Sequence, residues 1–85
     1  MRAPLLSIPK VSVEQVKAGR ALLRWSQSDL ADASGVSLPT VKRLEALSGP
    51  IGGRPDTEAA IRAALEAAGV QFLDNGEGPG VRLRR

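Results

Sequence analysis

The chain contains no cysteine, no histidine and no tyrosine, and only one Trp, one Phe and one Met. Without thiolate or imidazole, the usual zinc ligands, the cysteine nucleophile and the commonest general base are all missing. The lack of cysteine rules out a disulfide framework and fits a reducing compartment. So few aromatics leave no platform on which unpaired bases could stack, as single-strand binders require. They point instead to an aliphatic, alanine-rich helical core. Only carboxylates, lysine and serine remain for catalysis, and no spacing groups them into a site, so no enzyme is expected. No apolar run approaches the roughly 20 residues of a membrane span. Two leucines follow a cation at the very start, but Pro9 and Lys10 interrupt them before a signal-peptide core forms. A soluble, cytoplasmic protein with no membrane partner and no cofactor is the expectation.

At 85 residues the chain is long enough for one domain and too short for two. Its net charge of +3 and sequence isoelectric point of about 10.2 make it basic without being a polycation. Two readings fit that balance. One is an anionic partner, nucleic acid before membrane surface; the other is a solvated surface with a few extra arginines.

Three segments follow from the pattern along the chain. Residues 1–11 hold two prolines and no periodicity and read as an irregular arm. Residues 12–69 carry four helical patterns. Ser12, three residues before Gln15, has the signature of a capping box. From Val13 to about Trp25, Val13, Val16 and Leu23 recur at helical spacing, with Arg20 on the same stripe. Ser26 caps a second helix, with Asp29 favoured in its first turn, and Gly35 ends it. Ser37 caps a third, with Pro39 in the first turn and Leu38, Val41 and Leu44 inward. Asp56 or Thr57 caps a fourth, running to Ala68 over Ile61, Ala64 and Leu65, with Glu58–Arg62 and Arg62–Glu66 pairs outside. In residues 70–85 the period changes to two. Val70 and Phe72, a glycine-rich loop, then Val81 and Leu83 describe a β-hairpin.

The second and third helices are separated by so few residues that they must cross steeply, which is helix-turn-helix geometry. The small Ala31 permits their approach, and Leu30, Val36, Val41 and Leu44 fill the angle. Ser37, Thr40, Lys42 and Arg43 are left on the outer face of the third helix, small or cationic groups suited to a groove.

The stretch Gln27-Ser-Asp-Leu-Ala-Asp-Ala-Ser-Gly-Val-Ser-Leu-Pro-Thr-Val-Lys-Arg-Leu-Glu resembles the Cro/C1-type (XRE family) helix-turn-helix of bacterial and phage regulators. Gln27, Ala31, Gly35, Val41, Leu44 and Glu45 all stand at that family's spacings. The resemblance covers residues 13–48, and the order of four helices extends it to about 68. It implies an all-α, lambda-repressor-like domain of four short helices, here with a small C-terminal β-hairpin. It further implies a transcriptional regulator that binds double-stranded DNA through a recognition helix over about 37–47 in the major groove. Repression would work by promoter occlusion, activation by touching RNA polymerase.

By the same resemblance, Arg20 and Glu45 pair between the first and third helices and serve stability. Gln27 would bond a phosphate and brace the recognition helix, while Ser26 to Ser28 offer backbone N–H groups at a helix start, a natural phosphate seat. Ser37, Leu38, Pro39 and Arg43 occupy the positions that face base edges. Arg43 is the candidate for bidentate contact to guanine. Lys42, Thr40 and Arg54 are candidates for phosphate. Leu38 and Pro39 depart from the polar residues of many family members. They either pack on thymine methyl groups, or Leu38 belongs to the core and readout is sparse.

Val70, Phe72, Val81 and Leu83 either cover the helices or belong to a strand edge that pairs with a second subunit. A homodimer on a palindromic operator is the favoured expectation, since two-fold recognition offsets the small surface of one module. Arg82, Arg84 and Arg85 are either phosphate attractors or a solvated face. The rival from another class is a protein-interaction module, an antitoxin or adaptor that uses the third-helix face against protein.

Overall fold

The computed structural model describes residues 10–74, 76 and 78–84. They form four helices and one hairpin: α1 (Val13–Leu23), α2 (Gln27–Ser34), α3 (Leu38–Glu45), α4 (Pro55–Ala67), β1 (Val70–Asp74) and β2 (Pro79–Leu83). The chain is therefore mostly helical, with a small antiparallel hairpin at its C-terminal end. Among the described residues, no helix is long and apolar enough to cross a membrane.

Side chains set most of the helix boundaries. At α1, Ser12 Oγ accepts from the Gln15 N–H at 3.0 Å and Gln15 Oε1 accepts from the Ser12 N–H at 2.9 Å. At α2, Ser26 and Asp29 exchange the same pair of bonds at 3.0 and 2.8 Å. Each capping box satisfies two of the amide donors that a helix start leaves open. Gly35 ends α2 at φ 78°, a conformation that other residues adopt at a cost of about 1–2 kcal/mol. Its N–H closes on Ala31 O at 2.9 Å.

Three boundaries depart from the sequence pattern, the first being the end of α3, which stops at Glu45 with Ala46 as its cap rather than near Leu47. Helix α1 stops at Leu23 rather than near Trp25, because Arg24 takes φ 59° and Trp25 N–H donates to Arg20 O at 2.8 Å. Helix α4 begins at Pro55, with Arg54 as a cap that makes no side-chain bond, and not at a cap on Asp56 or Thr57. The fixed φ of Pro55 and its missing N–H suit the first helical position. Asp56 and Glu58 then fall inside the first turn, where the helix dipole favours them.

The core draws on all four helices and on β1. Val13 and Val16 of α1, Leu30 of α2, Val41 and Leu44 of α3, Ile61 and Leu65 of α4, and Val70 and Phe72 of β1 are all buried together. Two further core residues come from outside regular structure. Val11, expected in the irregular arm, is fully buried, and its carbonyl accepts from the N–H of Ile51, buried in the loop after α3, at 3.1 Å. The arm as described thus shrinks to Lys10, with residues 1–9 lying outside the described residues. Gly19, buried in α1, lets that helix approach β1 and α4 closely. A Cβ there would meet Val70 Cγ1 at 3.3 Å and Leu65 Cδ2 at 3.6 Å.

The hairpin strands are longer than the sequence suggests. Register runs from Val70 opposite Leu83 to Asp74 opposite Pro79, so Pro79 and Gly80 belong to β2 and the loop is correspondingly short. Asn75 and Glu77 of that loop lie outside the described residues. Gln15 fastens the hairpin to α1: its side-chain amide donates to Leu73 O at 3.1 Å and to Gly80 O at 2.9 Å. The Arg62 guanidinium lies 5.8 Å from the Phe72 ring centroid and pairs with Glu66 at 3.1 Å. Glu58 is different, since its Oε2 is buried with no hydrogen-bond partner among the described residues.

Candidate nucleic-acid interface

Helix α3 divides cleanly by exposure. Val41, Leu44 and Glu45 are buried, whereas Ser37, Pro39, Lys42 and Arg43 are exposed. With 3.6 residues per turn, Pro39 and Arg43 fall on the side opposite Val41, and Lys42 lies beside them. Leu38 is half-buried and packs against the core. Of the two readings open for Leu38, the structure shows the core contact. Pro39 is then the apolar side chain left on the outer face of the first turn.

The hydroxyls at the start of α3 are largely engaged with each other. Ser37 Oγ accepts from the Thr40 N–H at 3.3 Å and donates to Thr40 Oγ1 at 2.9 Å. Thr40 keeps one O–H to donate elsewhere, at the flank of the face. Arg43 makes no hydrogen bond or ion pair among the described residues, so both edges of its guanidinium are available.

Behind this face sits a polar cluster joining three helices. Arg20 donates from Nε to Glu45 Oε2 at 2.8 Å and from a terminal nitrogen to Glu45 Oε1 at 2.6 Å. Its other terminal nitrogen donates to Trp25 O at 2.9 Å. Gln27, the first residue of α2, donates from Nε2 to Glu45 Oε1 at 3.1 Å. The side chains of Arg20 and Glu45 are 17% and 4% exposed, so the pair is largely withdrawn from water. Such a bidentate pair fixes geometry as well as charge. Here it holds the last turn of α3 at a set position against α1 and α2.

The helix start at α2 is only partly open to an anion. The Ser26 N–H is taken by Asp29, whose carboxylate also adds negative charge there. The Gln27 and Ser28 N–H groups make no hydrogen bond among the described residues, and Ser28 is exposed. Ser28 also lines a shallow cleft between α2 and α3, together with Asp32, Val36, Ser37 and Leu38. Arg54 is exposed and forms an equally exposed pair with Asp56 at 3.2 Å. An exposed pair of this kind contributes little to stability. It does place a carboxylate next to a cation that a phosphate would otherwise meet.

The hairpin residues sit differently from the expectation of a dimer contact. Val70 and Phe72 are 1% exposed and belong to the core of their own chain, while Val81 and Leu83 are half-buried and pack against that core. Val70 and Phe72 are thereby spent within their own chain, and Val81 and Leu83 keep only part of their surface exposed. What the hairpin leaves open besides is backbone, since it is a two-stranded sheet and no backbone hydrogen bond joins it to a third segment among the described residues. Arg82 and Arg84 are exposed, with Arg82 donating to Gln71 Oε1 at 3.0 Å from Nε. Arg85 lies outside the described residues.

Sequence reasoning missed Gln15, Asp29 and Asp56 as parts of these arrangements. Gln15 was legible only as half of a capping box, because its second role depends on partners 58 and 65 residues away. Among the described residues no group of three or more carboxylates is placed to hold a metal ion. No protein-family model matches the chain, and no curated protein matches it either.

Proposed function

We propose that the protein is a sequence-specific DNA-binding regulator of the Cro/C1 (XRE) type, with a lambda-repressor-like fold, and that α3 is its recognition helix. One observation carries the reading: the outer face of α3 presents Arg43, unpaired among the described residues, beside Pro39 and near Lys42, while Glu45 on the inner side is clamped by α1 and α2. A helix held from behind and left bare in front, with cations on the bare side, fits the major groove, which admits one helix.

Arg43 contacts guanine N7 and O6 as a two-toothed donor. Lys42, Thr40 and the amides of Gln27 and Ser28 engage phosphate, and Arg54 reaches the backbone once it leaves Asp56. The Gln27 side chain keeps one N–H and its carbonyl for the same purpose. Two chains meet on a palindromic operator through the open backbone of the hairpin. The protein acts in the cytoplasm of a bacterium or on behalf of a phage, and occupancy of a promoter represses it.

Salt dependence of binding tests this reading. If Lys42 and Arg54 from two subunits neutralise four phosphates, log K falls with log salt at a slope of about −3 to −4. Arg43→Ala leaves that slope in place and removes preference at one base position per half-site, a loss of about 1–3 kcal/mol. A duplex affinity independent of salt rejects DNA as the partner and favours an antitoxin or adaptor surface.

A further inference from the structure

The outward stripe of α3 has a composition that says more than the presence of a groove reader. Pro39 and Arg43 of α3 and Ala46, the residue that caps its C-terminal end, follow one another at i, i+4 and i+7, and all three are exposed. A single cation therefore stands between an apolar ring and a methyl group. Ser37, at the head of the helix, spends its hydroxyl on Thr40. Leu38 is packed against the core. Beside Arg43, the stripe offers base edges no hydrogen-bonding side chain, only apolar surface.

We propose that this stripe reads a two-base-pair step: guanine through Arg43 and, in the adjacent pair, the C5-methyl of a pyrimidine through Pro39. The proposal rests on the DNA-binding reading above. Side chains at i and i+4 have Cβ atoms about 5–6 Å apart, and successive bases are about 3.4 Å apart along a strand. The length of the arginine side chain spans the difference, so both contacts fall on neighbouring pairs.

In the major groove thymine presents O4 and a C5-methyl, while cytosine presents the N4 amino group and no methyl. The proline ring can neither donate to O4 nor accept from N4. It responds only to the methyl. Cytosine methylated at C5 carries the same group at the same place, so Pro39 treats thymine and 5-methylcytosine alike. Cytosine methylation next to the guanine would then strengthen binding rather than block it.

The test uses the full chain and four duplexes that share a sequence enriched from a random DNA pool. They differ only at the base pair beside the guanine, whose pyrimidine is thymine or uracil opposite adenine, or cytosine or 5-methylcytosine opposite guanine, so that each pair of duplexes differs by the methyl alone. Fluorescence anisotropy is expected to show thymine and 5-methylcytosine bound alike, with uracil and cytosine about fourfold weaker, the effect of one methyl removed from water. Pro39→Ser should level the four affinities while the guanine remains required. Uracil bound as tightly as thymine by the unaltered protein overturns the proposal without need of any variant. A methyl preference that persists in Pro39→Ser overturns the assignment to that residue. Failure to enrich any sequence from the pool rejects DNA binding itself, and is thereby distinguished from an enriched site that is indifferent to the methyl.

Discussion

Glu45 receives three donors on two oxygens, from Arg20 twice and from Gln27 once. Removing that carboxylate leaves a guanidinium largely withdrawn from water without its partner, a change that is far more costly than loss of an exposed pair. Glu45→Ala is expected to lower stability by about 3 kcal/mol in urea denaturation; a loss below about 1 kcal/mol would place the cluster among surface pairs. Asp56 has the opposite character. Asp56→Asn frees Arg54 for phosphate and removes a favourable charge from the first turn of α4. Affinity for a cognate duplex is expected to rise about two- to fivefold, while stability falls by about 0.3–1 kcal/mol. Unchanged affinity would remove Arg54 from the phosphate contacts.

At the scale of elements, Gln15 adds polar bonds between α1 and a hairpin that already packs into the hydrophobic core. Its one side chain caps α1 and bonds the carbonyls of Leu73 and Gly80 on the two strands. Gln15→Leu takes one hydrogen bond from each of those carbonyls and leaves the Ser12 N–H without its side-chain partner, at a cost of about 1–3 kcal/mol. Amide hydrogen exchange should report faster opening of both strands than of α4. Uniform protection across the molecule would show that the clamp is dispensable.

The elements were largely legible because their boundaries are written in local chemistry. Ser12, Ser26 and Ser37 cap three helices within three residues of their partners, and Gly35 closes α2 where only a turn residue fits. The outer face of α3 followed from helical spacing. Arg24 was not legible, since a left-handed arginine carries no glycine signal. Val11 and Ile51 were missed because each is a lone apolar residue beside proline, glycine or serine, and only a long-range pairing buries it. The hairpin side chains were open to two readings, because alternation tells which residues share a face and not what that face meets.

For the whole molecule, the interior and the outward surface make separate demands. Val70 and Phe72 sit in the core with the helices, so the hairpin is part of the domain rather than an appendage. The outer face of α3, by contrast, carries exposed Pro39, Lys42 and Arg43. That exposed face is where the functional reading stands or falls. Selection of bound duplexes from a random DNA pool by the full chain tests it most directly. The expected result is one enriched palindromic sequence with a guanine in each half-site, a requirement that Arg43→Ala relaxes. A pool that stays random through successive rounds, or a guanine requirement untouched by Arg43→Ala, would contradict the assignment of α3 as the helix that reads DNA.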